Sequence, residues 1–277
     1  MHLAPKTTLN NGVRIDTLGY GVYKVPAQDC ADLVATALDT GYRTIDTAAL
    51  YGNEEGVGRA VKSAVAAGTP REEIFVTSKV WNDRHGYDAT LAAFDESMKR
   101  LGLDYLDLFL IHWPCPEQDL YIPSYKALET LYGEGRVRAI GVSNFEPEHL
   151  HRLLEATDVV PALNQVELHP WLQQRELRKL HAELGIATQA WSPLARGGLL
   201  ADPTMAGLAG TYGKSAAQIV LRWHVQSGHL VIPKASSAAR MAENLSVFDF
   251  ALADSDMAAI AAMDSGRRSG SDPATVN

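Results

Sequence analysis

The chain has 277 residues, 46% of them hydrophobic, which is enough to bury a large core, and no low-complexity stretch or Pro/Gly/Ser-rich linker divides it. Its 25 basic and 33 acidic residues give a net charge of −8, which disfavours non-specific binding to nucleic acid or an anionic membrane but leaves room for an anionic ligand held by a few local cations. There is no apolar run long enough for a membrane span, the N-terminal MHLAPKTTLNNG has no apolar signal-peptide core, and Cys30 and Cys115 suggest no disulfide framework. A cytoplasmic setting and one domain over 1–277 are therefore expected.

The first element is a short hairpin in TTLNNGVRID, turning at Asn11-Gly12. Short apolar runs then alternate with stretches of helical length. The strand candidates are 18–23, 42–46, 74–79, 106–112, 137–143, 162–168, 186–192 and 229–234. Most carry few charges and have apolar residues on both faces, the composition of a covered parallel sheet. Helices are expected over 29–40, 54–67, 88–101, 123–132, 146–156, 174–184 and 215–226, several of them closed by a glycine such as Gly41, Gly68 or Gly102. The seventh strand is followed by a long Gly-containing segment, roughly 193–213. A last helix over 254–263 has no strand after it and belongs outside the sheet. The tail from about 264 to 277 reads as irregular, mobile chain, with Arg267 and Arg268 solvated. The strand count and the alternation with helices predict a (β/α)8 TIM barrel, with an N-terminal β-hairpin and extra helices outside it. The competing Rossmann fold lacks its fingerprint: Gly19-Tyr-Gly21 has no third glycine, and no phosphate-binding P-loop pattern occurs.

Four polar residues stand at or just after the C-terminal ends of these strands: Asp46, Tyr51, Lys79 and His112. Parallel strands sharing one rim bring such residues together. Carbonyl reduction needs a hydride source, a proton donor and polar groups for the developing alkoxide. Tyr51 could donate the proton. Lys79 could make the phenol a stronger acid, and Asp46 could hold Lys79 by a charge-assisted bond. His112 could donate a hydrogen bond to the carbonyl oxygen. Taken singly, Lys79 and Asp46 would be a structural ion pair, Tyr51 a packing residue and His112 a hydrogen-bonded structural histidine. Placement alone leaves both readings open.

The chain resembles the aldo-keto reductases over nearly its whole length. The motifs are GYRTIDTAALYGNEEGVG (41–58), VTSKVW around Lys79, LIHWP around His112, GVSNF (141–145), NQVELHP (164–170) and IPKASSAARMAENL (232–245). Within the family, LGYGVYKVP, WNDRH and LRWH are most similar to bacterial 2,5-diketo-D-gluconate reductases. The resemblance implies a catalytic tetrad of Asp46, Tyr51, Lys79 and His112, and NADPH bound extended across the barrel rim. It assigns Ser143, Asn144 and Gln165 to the nicotinamide carboxamide and Trp191 to stacking on the ring. Ser192 and Leu194 fall to the pyrophosphate side, Lys234 and Arg240 to the 2′-phosphate, and Glu243 and Asn244 to the adenine. Where the family usually has Ser or Thr after the lysine, this chain has Ala235, so Ser236 or Ser237 would have to supply that hydroxyl. Tyr23, Trp81, His112 and Trp113 match substrate-pocket positions.

Of the nine histidines none forms an HExxH motif, and His149 and His151 would point two ways on a helix, so no catalytic metal is expected. The implied protein is a monomeric NADPH-dependent reductase of small-molecule aldehydes or ketones, with no nucleic-acid or membrane partner. The alternative is a cofactor-binding barrel with a regulatory or structural role.

Overall fold

The computed structural model describes residues 3–277. The chain opens with β1 (Lys6–Thr8) and β2 (Arg14–Asp16), an antiparallel hairpin as expected. Eight parallel strands follow: β3 (Tyr20–Gly21), β4 (Thr44–Asp46), β5 (Phe75–Val80), β6 (Leu108–Ile111), β7 (Ile140–Ser143), β8 (Leu163–Glu167), β9 (Ala187–Trp191) and β10 (Leu230–Val231). Each of these pairs with its sequence neighbour. A parallel bridge from Leu18 to Val231 joins the first of the eight to the last, with Gly19 N donating to the Val231 carbonyl at 2.8 Å. All eight strands lie where they were expected. β3 and β10 are shorter than their apolar runs, because Lys24 turns left-handed after one and Pro233, with no N–H to donate, follows the other.

The helices between strands are α1 (Ala27–Thr40), α2 (Glu54–Ala66), α3 (Tyr87–Leu101), α4 (Tyr121–Gly133), α5 (Pro147–Ala156) and α6 (Arg175–Leu184). The long segment at 193–213 contains a 3₁₀ stretch over Ala195–Ala201, kinked at Arg196 and Gly197, and then α7 (Pro203–Tyr212). The signal for α7 was present. The Asp202 carboxylate accepts from Thr204 N and Met205 N, Pro203 sits at the first helical position, and Gly213 ends the helix in the left-handed region. Next come α8 (Ala216–Gln226), α9 (Ala238–Leu245) and α10 (Asp254–Ala261). Among the described residues, no helix is long and apolar enough to cross a membrane.

Side-chain alternation explains how the barrel positions a site. The residues turned into the barrel run Phe75–Thr77–Lys79 on β5 and Leu108–Leu110–His112 along and just past β6. They run Leu163–Gln165–Glu167 on β8 and Ala187–Gln189–Trp191 on β9. The lower members are apolar and pack with Leu9 and Ile15 of the hairpin, which plugs that end. The upper members are polar or aromatic and gather at the C-terminal rim. The larger apolar cluster lies between strands and helices.

The helix layer is tight where α2 meets the end of α3. A Cβ on Gly58 would lie 1.9 Å from the Leu101 carbonyl oxygen, which is backbone and cannot rotate away. Gly58→Ala is expected to destabilise the fold by roughly 1–3 kcal/mol or more, measurable as a lowered urea midpoint at unchanged m-value. A shift no larger than that of an exposed helical substitution would show that the two helices slide apart freely.

Candidate active site

The four rim residues converge. Lys79, at the end of the inward row of β5, is fully buried and donates to Asp46 Oδ2 at 2.8 Å, to the Thr47 carbonyl at 2.9 Å and to the Tyr51 hydroxyl at 3.3 Å. Tyr51 lies in a short 3₁₀ turn, Ala49–Tyr51, after β4. Its phenol packs edge-on to His112, ring centroids 5.6 Å apart, and tilted against Tyr23 at 5.1 Å. Behind Lys79, Glu54 is buried and accepts from Ser78 Oγ at 2.5 Å and Arg100 Nε at 2.6 Å.

The electrostatics differ from the simple expectation that an ammonium lowers the phenol's pKa. Burial first, then the negative charge of Asp46 and the neighbouring Tyr23, push Tyr51 well above its ordinary value. Burial likewise lowers Lys79, with Asp46 opposing. Burial dominates, and Asp46, at contact distance from the ammonium, offsets the effect of Lys79 on the phenol. Tyr51 therefore rests as a phenol, its oxygen accepting from Lys79 and its proton left to donate elsewhere. Burial, then the charge of Lys79, hold His112 well below the usual imidazole range, so it is neutral. Its Nδ1 is buried with no hydrogen-bond partner among the described residues. Buried N–H groups are left without a partner more rarely than buried acceptors, and on that ground the proton is assigned to Nε2.

A cavity of about 450 Å³ opens beside these groups. Its wall includes Tyr23, Asp46, Tyr51, His112, Trp113, Ser143, Asn144, Gln165, Trp191, Ser192, Leu194 and Lys234. Most of the residues singled out in the sequence thus face one space. Ser143 Oγ donates to the Gln165 carbonyl at 2.7 Å, and Asn144 Nδ2 donates to the His112 carbonyl at 2.9 Å. The Trp191 indole N–H donates to Asn144 Oδ1 at 2.8 Å. Asn144 and Ser192 are left-handed, φ 63° and 47°, and turn the chain outward after β7 and β9. Lys79 lies behind Tyr51, and Trp81 packs edge-on to His112 with ring centroids 5.0 Å apart; neither lines the cavity.

Ser236, Ser237, Arg240, Glu243 and Asn244 lie beyond the cavity, on and before α9. Ser236, Ser237 and Arg240 are exposed, Glu243 is half-buried and Asn244 is buried. Ser237 caps the helix, its Oγ accepting from Arg240 N at 3.4 Å, which leaves its hydroxyl proton free to donate. Ala235 is buried in the core, and its carbonyl accepts from the Tyr20 hydroxyl at 2.7 Å.

Sequence reasoning missed two parts of the site. One is Gln189, buried beneath the rim. The other is the tail, which has little regular structure but is not solvated chain. Glu167 accepts from Ser269 N and Oγ, both at 2.5 Å, and from Gly270 N. Burial works against the Glu167 charge, yet hydrogen bonds from His169 and Ser269 hold its carboxyl below the ordinary range. Gly270 lies so close over Trp191 that a Cβ would come within 2.4 Å of the indole, and Ser271 lines the cavity. Arg267 stacks over Trp171 and Arg268 pairs with Glu146 at 3.1 Å, so neither arginine is free. Among the described residues, the grouping of three possible metal ligands is Glu146, Glu148 and His149, away from the cavity; His149 Nδ1 already accepts from Glu146 N.

The sequence matches the Aldo/keto reductase family over residues 17–265. It is 54% identical to an aldo-keto reductase of Mycolicibacterium smegmatis, over 99% of each chain. It is 48% identical to a glyoxal reductase of Bacillus subtilis, over 96% of this chain and 95% of that one. Among solved structures, a Gox0644 mutant in complex with NADPH is 46% identical, with 99% of each chain covered and a TM-score of 0.94. These likenesses do not single out the 2,5-diketo-D-gluconate reductase branch. The chain belongs to the aldo/keto reductase family.

Proposed function

We propose that this protein reduces aldehyde or ketone carbonyls to alcohols with NADPH, and that Tyr51 is the proton donor. The observation that carries the reading is the Tyr51 phenol: un-ionised, accepting from Lys79, and facing a cavity beside His112. NADPH, when bound, supplies the hydride. Trp191 offers an aromatic face for the nicotinamide, and Ser143, Asn144 and Gln165 offer amide and hydroxyl groups to its carboxamide. Ser192 and Leu194, which share the cavity wall with Trp191 and Lys234, are the pyrophosphate-side contacts in this reading.

The donor set at the far end fits a phosphate. Lys234, Ser236, Ser237 and Arg240 surround the N-terminus of α9, where backbone N–H groups and the helix dipole also favour an anion. The free proton of Ser237 can replace the hydroxyl that Ala235 lacks. Glu243 and Asn244, further along the helix, are the adenine contacts in this reading. Tyr23, His112 and Trp113 offer aromatic walls for the carbonyl compound, and Trp81, packed edge-on to His112, backs that wall in this reading. His112 donates from Nε2 to the carbonyl oxygen, and Tyr51 passes its proton to that oxygen as charge develops. Lys79 and Asp46 keep the phenol in place. We read the protein as a cytoplasmic monomer, consistent with Cys30 and Cys115 being free, buried thiols.

The test is loss of reduced-nicotinamide absorbance with a panel of aldehydes and α-dicarbonyls, glyoxal and methylglyoxal included because of the glyoxal reductase relative. Turnover is expected with NADPH, and slower turnover with NADH. Tight NADPH binding with no turnover of any compound would favour the non-enzymatic barrel.

A further inference from the structure

Gln165 and Gln189 are paired in register on β8 and β9, so their side chains leave the sheet side by side. Gln165 Nε2 donates to Gln189 Oε1 at 2.7 Å and, across the barrel, to Asp46 Oδ1 at 2.8 Å. A primary amide nitrogen carries two hydrogens, and both are committed here. A carboxylate only accepts, so Asp46 dictates which end of the Gln165 amide faces it. The Gln165 oxygen is then what the residue can offer to the cavity it lines. One bond to Asp46 leaves the side chain free to swing about that point; the second, to Gln189, removes the freedom. Gln189 is buried and is not part of the cavity wall.

We propose that Gln189 is a positioning residue: it holds the Gln165 amide in the orientation that receives the nicotinamide carboxamide, and through Gln165 joins that contact to Asp46, Lys79 and Tyr51. The inference rests on the reading of Gln165 as a cofactor contact. Asp46 is the junction, with Oδ2 on Lys79 and Oδ1 on Gln165. Without Gln189, one Gln165 N–H loses its partner in a buried setting and the amide is held at a single point.

A double-mutant cycle on NADPH affinity tests this. Gln189→Leu, of similar size without the acceptor, is expected to weaken NADPH binding about tenfold in the native background and less than about twofold in a Gln165→Leu background. At saturating NADPH its kcat should stay within about threefold, so the effect falls on KM. Gln189→Glu keeps an acceptor oxygen at the same reach and should restore most of the affinity. Should the leucine variant not fold, Gln189→Met gives the same readout. Equal weakening in both backgrounds, or none in the native one, would overturn the role of Gln189. If Gln165→Leu alone leaves NADPH affinity unchanged, the assignment of Gln165 itself fails and the positioning role falls with it.

Discussion

Replacing Tyr51 by phenylalanine is expected to lower kcat for carbonyl reduction by roughly 10²–10⁴-fold, the usual contribution of a positioned general acid, while the NADPH dissociation constant changes by less than about twofold. The substitution keeps the ring that packs on Tyr23 and His112. Lys79 loses one acceptor but retains Asp46 and the Thr47 carbonyl, so the buried ammonium stays paired. The phenol makes no other hydrogen bond among the described residues, so what disappears is the proton it presents to the cavity. Steady-state kinetics would be compared with cofactor binding followed by tryptophan fluorescence, since Trp113 and Trp191 line the cavity. A loss smaller than about tenfold would move the proton donor to His112, the other neutral N–H or O–H group at the same spot.

The strands and the tetrad are legible in the sequence because of one physical rule. Inward positions recur every second residue, and the last inward position of each strand reaches the rim. Asp46, Lys79 and His112 each occupy such a position. The same rule points to Gln189, two residues before Trp191 in ATQAW. Its signal is masked when 186–192 is judged by having apolar residues on both faces rather than by its alternation. The tail cannot be read that way. Its polar composition says nothing about docking, which depends on a buried carboxylate, Glu167, supplied a hundred residues earlier. The direction of the Tyr51 shift is likewise beyond spacing arguments. Charge type alone suggests that Lys79 acidifies the phenol; burial and the 2.8 Å contact of Lys79 with Asp46 reverse that.

Acidification is expected to unfold this protein steeply, at roughly 4 kcal/mol of lost stability per pH unit between about pH 6 and pH 4. His85, His181 and His229 are buried, and burial pushes their imidazoles down to about 4, about 4 and about 3 from the ordinary 6.5. Above the ordinary value both folded and unfolded chains hold these rings neutral, and no stability is lost. Below it, the unfolded chain takes up three protons that the folded one refuses until its own lower values are reached. Stability therefore falls with pH across that window, by about 1.4 kcal/mol per unit for each ring. His112 and His224, also driven well below the ordinary range by burial, steepen the slope. Asp107 and Glu146 act the other way: burial raises both carboxyls, so they gain protons while still folded, but they are two groups against five histidines. Since domains are stable by only about 5–15 kcal/mol, cooperative unfolding is expected before pH 4. Urea titrations at several pH values from near 7 to about 5 measure the slope. His229 supplies the control, because neither ring nitrogen has a hydrogen-bond partner among the described residues and the ring packs against Trp223 and His224. His229→Phe should cost little near neutral pH and should remove about 1.4 kcal/mol per unit from the slope. A native slope below that of a single histidine would show that these rings take up protons inside the fold, and that burial does not hold them neutral.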